Sequence, residues 1–129
     1  MLLHQRLSLL SRTSWLPELY REFAQSWTCS PPEEIAAACR DLFRRDLWML
    51  MFLGLNRADM LHPWLFARAR EVQTQPDGYL DLWARGHYKS TLITFGKTIQ
   101  DILASHGEDP LPEWHGLEPT FGIFSHTRP

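Results

Sequence analysis

The hydrophobic period of this chain changes near residue 57, and that change limits the fold more than any other feature. Before it, apolar residues recur at three- and four-residue spacing, which marks helix faces packed on a core. After it, Tyr79, Leu80, Asp81, Leu82 and Trp83 alternate and are rich in aromatics, which predicts a strand over 79–83. Helical spacing returns over 92–103, with Leu92, Phe95, Gly96, Ile99, Ile102 and Leu103 on one face of a helix expected over 90–104. Residues 120–125 predict a second strand. Runs of helix followed by strand–loop–helix–strand predict an α/β fold. A helical N-terminal segment is expected over 1–57 and the start of a sheet domain over 58–129.

Within the first segment, Leu16, Leu19, Tyr20, Phe23 and Trp27 share one face of a helix over 15–27. Ser30, Pro31 and Glu33 predict the next start: a capping hydroxyl, a proline in the first turn and a capping box. Ile35, Cys39, Leu42, Leu50 and Leu53 then form one buried stripe, while Arg40, Asp41, Arg44 and Arg45 read as a solvated face. Gly54 and Asn56 end that helix. A third helix is predicted from His62 and Pro63 to Val72, and Gln75-Pro76-Asp77-Gly78 reads as a turn.

Charge and ligand types remove several functions. The net charge is -2, from 13 basic and 15 acidic residues, so no basic surplus marks a main DNA-gripping surface. Cys29 and Cys39 have no third partner, and the six histidines lack zinc spacing. Met1 to Leu10 is interrupted by His4, Gln5 and Arg6, unlike a signal peptide. The apolar run from Leu47 to Leu55 rises only about 14 Å as a helix, against a membrane core of ~30 Å. No membrane partner is expected.

Residues 84–91, Ala84-Arg85-Gly86-His87-Tyr88-Lys89-Ser90-Thr91, join the expected strand to the expected helix. A triphosphate needs several amide donors, a flexible cation and a hydroxyl for magnesium at one point. A loop entering a helix N-terminus supplies the amides and a favourable dipole. Lys89 and Ser90 stand where the cation and the hydroxyl are needed. Against the pattern Gly-x-x-x-x-Gly-Lys-Ser/Thr the match is poor, because Trp83 and Tyr88 replace both glycines.

The stretches His62-Pro63-Trp64-Leu65-Phe66-Ala67-Arg68, Pro76-Asp77-Gly78-Tyr79-Leu80-Asp81-Leu82-Trp83-Ala84-Arg85 and His87-Tyr88-Lys89-Ser90-Thr91, in that order, resemble one branch of the bacteriophage terminase large subunits. These are ATP-driven motors that package viral DNA. The ending Ile123-Phe124-Ser125-His126-Thr127-Arg128-Pro129 is similar to the strand that follows in the family. The resemblance spans roughly 58–129 and implies an incomplete P-loop NTPase domain with a RecA-like, additional-strand sheet. It also implies ATP and Mg2+ as cofactors. In that family Lys89 would meet the β- and γ-phosphates, Ser90 the magnesium, and Thr91 a further phosphate. Arg85 would contact phosphate or report the nucleotide state, and Gly86, His87 and Tyr88 would supply backbone amides. Gln73 or Gln75 would read adenine. Phage DNA, a portal and a small terminase subunit are the implied partners, and the cytoplasm of a phage-carrying bacterium is the implied setting.

Hydrolysis needs an acidic pair closing an apolar strand. None occurs over 92–129, so binding without catalysis by this chain alone is expected. Its end soon after a strand suggests a partial product, in which 79–83 and 121–125 would lack ladder partners and fold poorly. Three alternatives stand beside this reading: a helical interaction module over 1–57, a decayed remnant, and a helicase-like P-loop machine.

Overall fold

A computed structural model describes residues 2–74 and 86–122. Helix α1 spans Leu3–Arg12, α2 Glu18–Trp27, α3 Pro32–Arg45 and α4 Leu47–Met49. Helix α4 widens directly into a π-helical turn, Leu50–Gly54. A 3-10 turn, Ala58–Met60, leads to α5, Pro63–Thr74. A second π-helical stretch, Ser90–Lys97, runs on as α6, Thr98–Ser105, and a 3-10 turn follows at Pro112–Trp114.

Helix α3 begins where two prolines fix φ. Glu33 and Glu34 lie in its first turn and Arg44 and Arg45 in its last, each charge matched to the helix dipole. The expected capping box at Ser30 does not form. Pro31 occupies the cap position, and the Ser30 hydroxyl instead donates to the Ser26 carbonyl at 3.3 Å. Nor does one helix run on to Leu53. The chain extends at Asp46 (φ -129, ψ 104), whose Oδ1 accepts from the Met49 amide at 3.0 Å and so starts α4.

Every residue from Leu47 to Leu53 is buried. Trp48 is the hub. Its ring stacks on Phe52 at 5.1 Å and receives the edges of Tyr20 and Phe66 at 5.9 and 5.3 Å. Its indole N–H donates to the Met60 carbonyl at 2.8 Å. Arg6, reaching in from α1, is buried with its guanidinium donating to the carbonyls of Phe52 (3.2 Å) and Leu53. A helix leaves its last carbonyls without helical donors, and a cation there is favoured by the dipole.

Helices alone build this core, and no strand occurs among the described residues. The α/β expectation is overturned. Residues 120–122 carry no regular structure, while the strand expected over 79–83 and the rest of 120–125 lie outside the described residues. The layer a sheet would have covered is filled by helix. The second π stretch comes close to α4 and the first π stretch at Gly96: a Cβ there would stand 2.5 Å from Met51 Sδ and 3.2 Å from Leu47 Cδ1. Residues Leu92, Gly96, Gln100 and Ala104 are the buried ones here. The expected face is displaced, for Phe95 is 61% exposed and Ile102 and Leu103 also face outward. A π turn takes in more residues than an α turn, so a stretch that is part π and part α repeats near every four. Among the described residues, no helix is long and apolar enough to cross a membrane.

Candidate functional site

The segment ahead of the second π stretch bends through two left-handed residues, Gly86 (φ +81) and Tyr88 (φ +63). Gly86 adopts this region freely. Tyr88 carries a side chain, so the same region costs about 1–2 kcal/mol and must be held by contacts. Lys89 then enters helical geometry (φ -55, ψ -53), and the Leu92 amide closes the first turn on the Tyr88 carbonyl at 2.9 Å. Lys89 and Ser90 are exposed and Thr91 half-buried.

Contacts from the helical core fasten this bend. The Tyr88 ring packs against the core. Arg57 grips Asp59 through Nε to Oδ1 at 3.0 Å and Nη2 to Oδ2 at 2.7 Å. The hydrogen bond from Arg57 holds the Asp59 carboxyl below the usual range, and the nearby Asp59 carboxylate raises the Tyr88 phenol. His87 meets Trp64 edge-on at 5.6 Å, and the Arg68 guanidinium stands 5.9 Å from the Trp64 ring centre. The loop therefore rests on the first turns of α5 as well as on the Ala58–Met60 turn.

Of the residues singled out by sequence, Gly86, His87, Tyr88, Lys89, Ser90 and Thr91 come together at this junction. Arg85 and Gln75 lie outside the described residues. Gln73 serves elsewhere: its Oε1 accepts from the Leu47 amide at 2.6 Å and its Nε2 donates to the Arg45 carbonyl, which bridges the break between α3 and α4. Gln100, 2% exposed, faces the same break. Sequence reasoning missed Arg57, Asp59 and Trp64. Only the Arg57–Asp59 spacing hinted at a local pair, and nothing local ties either to Tyr88.

The donor set suits an anion: an exposed lysine, two hydroxyls and a bent backbone at a helix start. No cluster of three or more His, Cys, Asp or Glu that could hold a metal by itself occurs among the described residues.

A second concavity, about 400 Å³, lies between α2, α3 and α5 and is walled by Leu19, Phe23, Leu42, Met49 and Phe66. Its polar end is a triad. The Tyr20 hydroxyl donates to Asp46 Oδ2 at 2.5 Å, and Arg70 Nη1 lies 3.3 Å from that hydroxyl and 3.5 Å from Asp46 Oδ2. Burial first, and Asp46 second, push the Tyr20 phenol well above its ordinary range.

Comparisons with protein-family models, with curated proteins and with solved structures returned no match to this chain.

Proposed function

We propose that this chain binds ATP with Mg2+ as part of a phage DNA-packaging motor of the terminase large-subunit type. The observation that carries the reading is the pair of left-handed residues, Gly86 and Tyr88, directly ahead of exposed Lys89 and Ser90. A backbone bent in this way makes an anion-binding concavity. A helix start adds its dipole and free amides. Lys89 supplies the charge for the outer phosphates, and Ser90 and Thr91 supply hydroxyls for magnesium and phosphate. The reading needs this loop and its helix in the helical setting described, with no sheet among the described residues. A role for Arg85, and phage DNA, a portal and a small terminase subunit as partners in a bacterial cytoplasm, rest on the resemblance of sequence blocks alone. The proposal is of binding; no acidic pair suited to hydrolysis follows over 92–129.

Calorimetric titration of the full chain with Mg-ATP tests it. Lys89→Ala is expected to weaken binding at least tenfold, the loss of about 1.4 kcal/mol or more of a charge-assisted contact. Equal affinity in the variant, with an unchanged helical circular dichroism spectrum, sinks the assignment.

A helical docking module is the second reading. It is favoured by the apolar concavity beside α2, with Leu19 72% exposed at its edge. On that reading Lys89→Ala changes nothing, and Leu19→Asp abolishes association with a small terminase subunit.

A further inference from the structure

We propose that the concavity between α2, α3 and α5 binds a small monocarboxylate with an apolar body, its carboxylate taken by Arg70 and its chain by the apolar walls. The site shares no residue with the 86–91 junction and needs no nucleotide there. It gives the same concavity a small-molecule occupant in place of a docked protein.

The walls suit an apolar chain. Leu19, Phe23, Leu42, Met49 and Phe66 line the space. Met49 belongs to the fully buried core while Leu19 is 72% exposed, so the cavity runs from the core to the surface. Each methylene placed there leaves water for apolar contact. A volume of about 400 Å³ holds one small molecule. It is short for a partner helix, which fills a groove with side chains from successive turns.

The polar end chooses the head group. Asp46 is buried and already engaged: Oδ1 accepts from the Met49 amide at 3.0 Å, and Oδ2 accepts from the Tyr20 hydroxyl at 2.5 Å. Tyr20 is buried as well, with its proton committed to Asp46. The phenol oxygen in turn accepts from Arg70 Nη1 at 3.3 Å, and the same nitrogen stands 3.5 Å from Asp46 Oδ2. These contacts hold the guanidinium in place, so less side-chain freedom is lost when a ligand arrives. Arg70 also keeps donors to offer. Its side chain is 47% exposed, and among the described residues its Nε and Nη2 meet no acceptor. Those two nitrogens form one edge of the guanidinium, which takes a carboxylate by two parallel hydrogen bonds. An ammonium head would meet that cation at close range, and an uncharged head would leave the fork half used.

The test uses the full chain at neutral pH. Decanoate is the probe, and decanamide, with the same chain and no charge, is its comparison. Calorimetric titration is expected to give a decanoate dissociation constant below about 1 mM, within reach of a ligand of this size. Decanamide is expected to bind about tenfold more weakly, the scale of a charge-assisted contact. Arg70→Gln is expected to bring decanoate down to the decanamide value and to leave decanamide unchanged, a pattern that general loosening of the fold does not produce. Methyl NMR of the parent chain locates the site. Shifts at Leu19, Leu42 and Met49 uphold the proposal, and shifts confined to other methyls overturn it. That readout and the comparison of the two probes decide the matter even if Arg70→Gln does not fold. No decanoate binding at millimolar concentration, or equal affinity for the two probes, overturns the proposal. So does association with a second copy or a partner protein that Leu19→Asp abolishes and decanoate does not displace, because the concavity is then a docking surface.

Discussion

The two π-helical stretches share a backbone form and little else. In Leu50–Gly54, four of five residues are buried and the last carbonyls are met by the Arg6 guanidinium. In Ser90–Lys97, only Leu92 and Gly96 are buried and Phe95 stands largely in solvent. Each carries one phenylalanine. Phe52 stacks on Trp48 at the centre of the core, while Phe95 points away from it. A wide helical turn is thus set by what surrounds it. The first is enclosed by α1, α3 and the hub residues; the second meets the first at Gly96, where only a glycine fits, with the 86–88 bend ahead of it.

Substitutions can break this contrast. Phe52→Ala leaves a cavity under Trp48 and is expected to cost about 3–5 kcal/mol, read from chemical denaturation. A cost below 1 kcal/mol would mean that the first stretch is not the packed centre of the molecule. Arg6→Met keeps much of the bulk but leaves the Phe52 and Leu53 carbonyls without their donor. A loss of about 2 kcal/mol is expected, with faster amide exchange over 50–55 and none over 90–97. Phe95→Ser, on the open stretch, is expected to stay within about 0.5 kcal/mol of the parent protein. A larger loss would show that Phe95 is covered in solution and that the two stretches are more alike than they look.

What was legible in the sequence was local. Apolar periodicity located the helix at Glu18–Trp27, while Pro63 and Lys89-Ser90-Thr91 announced helix starts because the signal lies within a few residues. Partners distant in sequence were illegible. Asp46 drew no expectation from the sequence, yet α3 ends there and its carboxylate meets Tyr20 and Arg70, which arrive from other helices. The outward turn of Phe95, Ile102 and Leu103 was hidden for another reason. The 3.6-residue template assumes an α-helix, and a π stretch shifts every later residue around the axis. The alternation and aromatics that pointed to a sheet lie over 79–83, outside the described residues, and the core of the described residues is built by helices alone. Within the candidate site, the loop residues were legible and the ring they rest on was not, since His87 meets Trp64 only after α5 has folded.

The aromatic setting of the loop also makes the protein its own optical instrument. Trp48 is sealed from water and ringed by Phe52, Tyr20 and Phe66, so its emission is blue and steady while the core stays folded. Trp64 is part-exposed, edge-on to His87 and under the Arg68 guanidinium. A rearrangement of the 86–88 bend alters the charge and polarizability beside that indole and shifts its colour or brightness, while the buried signal stays constant. A ligand arriving at Lys89 would thereby be reported as light from the far side of the loop, without a label.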